Sequence, residues 1–297
     1  MEDPHTATEN IVGAATLAED RGFDSVWAGD HVVVAQSEVN RFGTVWFEAL
    51  TTLTFVAART SRVRLGTSVL VAPYRHPLLV AKMLASLDVL SGGRVDAGFG
   101  TGWLEPEFRA LGLDDFSARG AVTDETLAVV RAAWDGSLQL PGEGDDALHF
   151  EPRPLQTSSP AGIPVWIGGN SRRAARRVVE YGDAWMLVRV STDEFAQAKK
   201  MLGELSEQLG RDPATISLAV EQPLSLLAGG DPDGTPFIGS RDQVHEQLAT
   251  FQELGCDEIL LDLHHDHGSS RMRDTSIERV YESIEIFAAE FLPGLHR

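Results

Sequence analysis

The sequence predicts a (β/α)8 TIM barrel, and three observations carry that prediction. Helical and β-rich segments alternate along the chain, the strands are short and joined by helical stretches, and the beat repeats seven times. Short strands linked by helical crossovers imply a parallel sheet with right-handed connections. An open doubly wound sheet fits the same alternation, but seven successive repeats in one domain favour the barrel.

The elements follow in order. Ile11, Ala14, Ala15 and Ala18 share a helical face, with Gly22 as a stop, and Ser25-Val26-Trp27-Ala28 is the first strand. Trp46, Leu50, Leu53 and Ala57 read as the next helical face, followed by a β-rich run from Val63 to Val71. Pro77 opens a helix that Gly92-Gly93 closes, a strand runs from Arg94 to Gly100, and a helix spans about Arg119 to Trp134. Residues 135–162, rich in Pro, Gly and acidic residues, predict an irregular surface insertion. The rhythm resumes with a strand at Pro164–Ile167, a helix at Ser171–Tyr181, a strand at Ala184–Val190 and a helix carrying Phe195, Ala198, Leu202 and Leu205. Ile216–Leu227 contains a strand, and a Gly/Asp/Pro loop surrounds Asp231-Pro232-Asp233-Gly234. Ser240-Arg241-Asp242-Gln243 fits a capping box. Glu258–Leu263 is the last strand, and a helix from about Ser276 ends the chain. The pattern opens on a helix, so a first strand is missing: residues 1–5 are too few and too polar to supply it.

Length and charge narrow the class. The 297 residues suit one large domain or two ordinary ones, and the repeat favours a single domain over 1–297. With 25 Lys+Arg against 44 Asp+Glu, the net charge of −19 speaks against a nucleic-acid partner, because phosphate backbones attract clustered cations. No apolar run approaches the roughly 18 residues that span a bilayer, so no membrane partner is expected. No secretory signal is visible, and one cysteine, Cys256, fits a reducing, cytoplasmic setting as a packed thiol.

A barrel carries its active site at the C-terminal ends of its strands, so unusual residues there weigh most. Asp30-His31 follows the first visible strand and offers a carboxylate beside a side chain that titrates near neutrality. The plain alternative is a capped loop with an exposed histidine. Gly98-Phe99-Gly100-Thr101-Gly102-Trp103 ends the strand from Arg94, and its glycines admit either a planar ligand or tight barrel packing. Gly168-Gly169-Asn170-Ser171 opens a helix beside Arg172 and Arg173, the makings of a phosphate site at a helix N-terminus. A glycine turn with a Ser171 cap would explain the segment too, but would leave Asn170 without a role. His264-His265-Asp266-His267 has no recognised metal-ligand spacing and reads as a solvated loop; no metal is expected.

Taken together, these motifs resemble the luciferase-like monooxygenase superfamily. The resemblance rests on Gly22 to Trp27 leading to Asp30-His31, and on Leu65 to Leu70 leading to Arg75-His76-Pro77. It rests also on Leu90 to Arg94 with the Gly98–Trp103 run, and on Gly168-Gly169 with Gly182 to Trp185. It covers about residues 10 to 290 and is nearest to the branch using the deazaflavin coenzyme F420. It implies a barrel holding a flavin or deazaflavin at the strand C-termini, with a cis peptide at Ser68–Val69 behind the ring. Asp30 and His31 would be catalytic, His31 exchanging a proton and Asp30 fixing its orientation. Gly100, Thr101, Gly102 and Trp103 would line the ring or substrate side, and Gly168, Gly169, Asn170 and Ser171 would hold the cofactor phosphate. Relatives begin with a strand ahead of the first helix. Its absence implies an encoded start further upstream or an incomplete barrel.

The function expected is an F420-dependent oxidoreductase moving hydride between the deazaflavin and a small organic substrate. One alternative is an FMN-dependent monooxygenase served by a separate reductase. The other is a non-catalytic flavin-binding protein with an incomplete barrel. Relatives commonly dimerise, so a homodimer stays open.

Overall fold

The computed structural model describes residues 4–39, 45–141, 148–151, 153–154, 162–226, 237–263 and 276–295. In chain order the elements are α1 Pro4–Asp20, β1 Ser25–Ala28, α2 Ala49–Ala57, β2 Arg64–Thr67, β3 Leu70–Val71, α3 Pro77–Ser91, β4 Val95–Gly100 and α4 Glu105–Ala110. They continue with α5 Arg119–Asp135, β5 Val165–Gly168, α6 Arg172–Tyr181, β6 Ala184–Val188, α7 Thr192–Leu209, β7 Ser217–Pro223, β8 Ser225–Leu226 and β9 Ile238–Gly239. The last are α8 Arg241–Glu253, β10 Glu258–Asp262, α9 Ile277–Glu290 and α10 Leu292–Leu295.

Seven parallel strands form a nearly closed barrel in the order β1-β2-β4-β5-β6-β7-β10, with β3 also paired to β4. The ladder begins with Ser25 opposite Arg64 and closes with Glu258 opposite Ala219. The run read as one strand from Val63 to Val71 is two pieces, broken at a cis peptide between Ser68 and Val69.

Burial sorts the strand residues into two layers. Leu65, Val95, Ala97, Phe99, Val165, Ile167, Trp185, Leu218 and Val220 pack outward under Leu53, Leu84, Leu127, Val178, Phe195 and Leu202 of the helices. The interior is filled by Trp166, Ala184, Met186, Ala219 and Leu260, joined by Trp27 and Val69. Trp27 and Trp166 meet edge to face with ring centroids 5.0 Å apart, the arrangement ring quadrupoles favour. Helix starts follow local chemistry. The Ser240 capping box forms as expected, and a second one forms at Ser191 with Glu194.

No ladder joins β1 to β10, and among the described residues no strand lies between them. Side chains bridge that seam. Ser25 Oγ donates to Glu258 Oε1 at 2.7 Å, and Arg64 Nη2 donates to Glu258 Oε2 at 2.5 Å while its Nη1 binds Asp96. Asp96 is buried, and burial together with the nearby Glu258 charge pushes its carboxyl up to about 7 despite Arg64.

The described parts of the 135–162 insertion contain no helix or strand beyond the end of α5. The Asp231–Gly234 loop and the His264–His267 run lie outside the described residues. Cys256 packs against the core, and burial pushes its thiol up to about 12, an inert thiol in a packed place. No described helix is long and apolar enough to cross a membrane.

Candidate active site

The loop after β1 brings His31 to the C-terminal mouth, with 13 % of its side chain exposed. Its Nδ1 lies 3.0 Å from Oε2 of Glu107, on α4. Tyr74 donates its hydroxyl to the same oxygen at 2.7 Å, while Oε1 accepts from the backbone N–H groups of Val32 and Val33. Burial works to raise the Glu107 pKa, but these donors outweigh it and hold the group below the ordinary glutamate value. Glu107 is therefore a carboxylate that only accepts, so Nδ1 of His31 is the donor in their bond. The Trp46 and Trp103 rings stand edge-on to the imidazole, at 4.8 and 6.1 Å.

This corrects the expectation that Asp30 orients His31. Asp30 is buried and spends both oxygens elsewhere. Arg75 grips it in a two-pronged ion pair at 2.6 and 2.7 Å, and the Val71 N–H donates to it at 3.0 Å. Arg75 also binds Glu48, the N-cap residue of α2, at 2.8 Å. Asp30 thus ties the β1 loop to the segment after β3 and to α2. Trp46 is likewise not part of a helical face: it precedes α2 and turns its ring to His31.

Ser68 donates through Oγ to Glu221 of β7, across the mouth. Val69 projects inward between two of the expected ligand residues. A Cβ on Gly168 would lie 2.8 Å from its Cγ1, and one on Gly100 would overlap its Cγ2. Gly102 adopts φ +72°, and a Cβ there would press on Phe108 and Val71 at 2.7 Å. These three glycines make room for Val69, Phe108 and Val71. Thr101 is half-buried, its hydroxyl only 3.5 Å from the Gly102 carbonyl, and Trp103 is exposed.

In the phosphate segment, Asn170 has a structural tie. Its carboxamide closes both ways on Val188, Nδ2 donating to the carbonyl at 2.8 Å and Oδ1 accepting the N–H at 2.9 Å. That is a structural role the sequence did not reveal. Gly169, at φ +114°, accepts from the Trp185 indole at 2.7 Å, and Ser171 caps α6 through the Ala174 N–H. Arg172 and Arg173, at the start of that helix, are exposed.

Glu107 and Trp46 are the site residues that sequence reasoning missed. Leu104-Glu105-Pro106-Glu107 carries the signal for α4: proline and acids in a first helical turn.

The luciferase-like monooxygenase family model matches residues 2–228. An F420-dependent hydroxymycolic acid dehydrogenase of Mycobacterium tuberculosis is 30 % identical over 230 residues, 75 % of this chain and 60 % of that protein. The chain therefore spans about three fifths of that relative's length. A 4-hydroxyprotoasukamycin monooxygenase of Streptomyces nodosus subsp. asukaensis is 30 % identical over 275 residues, 84 % of this chain and 72 % of that protein. Among solved structures, a monooxygenase from Streptomyces bottropensis superposes with a TM-score of 0.79 at 21 % identity, covering 99 % of this chain and 95 % of that one. That likeness concerns the fold. With a match over most of its length and the barrel to go with it, the chain belongs to the luciferase-like monooxygenase family.

Proposed function

We propose that the chain is an F420-dependent oxidoreductase moving hydride between a deazaflavin and a small organic substrate, with His31 as its proton-exchanging group. The observation that carries this reading is the His31–Glu107 bond, which fixes the ring and turns Nε2 into the position that takes or gives a proton. The F420-dependent relative supports the choice of cofactor.

The residues present fit a planar cofactor with a phosphate tail. Val69 and Met186 give the barrel interior an apolar floor, and the Trp46 and Trp103 rings crowd the imidazole. The first turn of α6 with Arg172 and Arg173 offers N–H groups and cations to an anion. A bound deazaflavin supplies the carbon that carries the hydride. The chain itself keeps Nδ1 protonated through Glu107, shields the imidazole from bulk water with two indoles, and braces the loop through Asp30 and Arg75.

The test is His31→Ala, assayed by steady-state turnover and by F420 fluorescence titration. Turnover should fall about 100-fold or more, the usual weight of a positioned acid–base group, with F420 affinity nearly unchanged. Undiminished turnover would sink the role of His31.

The monooxygenase relative, aligned over the larger share of the chain, favours a second reading: an FMN-dependent monooxygenase supplied by a separate reductase. Parallel titrations with F420 and reduced FMN separate the two, since the first reading requires F420 to bind more tightly.

A further inference from the structure

One carboxylate at the barrel mouth serves four donors, and they do not share it evenly. Oε1 of Glu107 takes the Val32 and Val33 amides, while Oε2 takes the Tyr74 hydroxyl at 2.7 Å and Nδ1 of His31 at 3.0 Å. An ionised carboxyl offers about four acceptor sites, so this one is filled. On the oxygen that the two side chains share, the tyrosine holds the shorter bond. A hydroxyl donating to a carboxylate makes a charge-assisted bond, roughly twice as strong as a neutral one. Each donor that an oxygen satisfies leaves less of its negative charge for the next.

Tyr74 is placed to keep that bond. Burial, and then the bond to Glu107, push its pKa up, so the phenol stays a donor. It ends a single 3-10 turn, Ala72–Tyr74, whose flanks are both tied to Asp30: the Val71 N–H on one side and the Arg75 guanidinium on the other. Its ring stands edge-on to Phe108 at 5.0 Å, and Phe108, itself buried, stands edge-on to Phe116 at 4.9 Å. Packing therefore aims the hydroxyl independently of its acceptor. The other charges at this corner are spent on one another: Asp30, one residue before His31, and Glu48 share Arg75. Glu107 is the carboxylate in contact with the imidazole, and Tyr74 is the side chain that shares its oxygen.

We propose that Tyr74 is a positioning residue for His31: by occupying Oε2 of Glu107 it limits how strongly that oxygen holds the Nδ1 proton, and keeps the imidazole a readier proton donor than a bare Glu107–His31 pair would be. The proposal deepens the reading of His31 as the proton-exchanging group and rests on it for what the proton is used for.

The experiment follows the His31 ring in the full chain, without cofactor, by proton–nitrogen correlation NMR across pH. His31→Ala identifies its signal among the nine histidines. Tyr74→Phe removes one oxygen and keeps the ring against Phe108. In that variant the Nδ1 proton should move downfield, and the proton affinity of the ring should rise about threefold to tenfold, the size of one net hydrogen bond. The titration midpoint then moves to higher pH. In a Glu107→Gln background, Tyr74→Phe should add nothing, because no carboxylate charge is left to share. Tyr281→Phe, which removes a hydroxyl on α9, should leave the midpoint in place. An unchanged midpoint in folded Tyr74→Phe overturns the proposal, even where thermal unfolding shows a loss of stability, since a merely structural hydroxyl would give that result. So does an equal rise in the Glu107→Gln background or with Tyr281→Phe. Because the NMR readout needs no cofactor, the two readings fail separately. A raised midpoint in Tyr74→Phe with undiminished turnover in His31→Ala removes the role of His31 and leaves the hold of Tyr74 on the imidazole. An unmoved midpoint with turnover lost in His31→Ala removes only the role of Tyr74.

Discussion

Glu107 is a single buried side chain with four donors, and its removal would strand several of them at once. Glu107→Ala leaves the Tyr74 hydroxyl and two amides without their acceptor, a loss of about 2–3 kcal/mol by the usual cost of unsatisfied buried groups. Urea denaturation should show that loss. The pH dependence follows from the lowered pKa. Above the ordinary glutamate value of about 4.3, the native carboxylate and the unfolded one are both ionised, and the full stabilisation is present. As pH falls through the lower native value it disappears, because the unfolded state takes the proton first. Acid should therefore weaken the unsubstituted protein more than Glu107→Gln, which keeps an acceptor but does not titrate. This residue was poorly legible in the sequence. A six-residue helix has no periodicity to read, and the partner of His31 lies 76 positions away. Asp30 was placed correctly at a strand end, yet its partner Arg75 is 45 positions distant, and adjacency in sequence wrongly suggested His31.

At the scale of elements, close approach shapes the strand ends. Val69 fits because Gly100 and Gly168 have no side chains, so β3, β4 and β5 lock around one methyl-bearing residue. Gly168→Ala should destabilise the protein by about 1–3 kcal/mol through overpacking. Gly168→Ala combined with Val69→Ala should cost less than the sum of the two single changes, as a double-mutant cycle in thermal unfolding would show. Most strands and helices were legible beforehand, because alternation, caps and glycine stops are local signals. Trp46 was misread for the same reason: its spacing to Leu50 and Leu53 imitates a helical face, while tertiary contact with His31 places it ahead of α2. The tie of Asn170 to Val188 was not legible because it joins two strand ends and leaves no mark in either segment.

Across the whole molecule, the network of Arg64, Asp96, Glu258 and Ser25 stands where β1 and β10 share no ladder. Asp96 makes this network sensitive to pH. Its native pKa is about 7, above the ordinary aspartate value near 4, so between those values the native state holds a proton that the unfolded chain has lost. The stability this carboxyl contributes is full at the acid end and lost as pH rises to about 7. Asp96→Asn, measured by thermal unfolding across that range, should remove this slope. An unchanged slope would place the titration elsewhere. Seven strands were readable as a rhythm and the family motifs as an ordered set, but the bridging side chains come from β1, β2, β4 and β10 and no local pattern announces them.

That seam makes the barrel a cut hoop rather than a continuous one. A continuous hoop widens only by stretching its backbone hydrogen bonds. This one is fastened across the gap by Arg64 and Ser25 on the carboxylate of Glu258. The bore that Trp27 and Trp166 plug is therefore clasped at that gap by three side chains, a buckle of charge and hydroxyl where the rest of the hoop is woven from backbone.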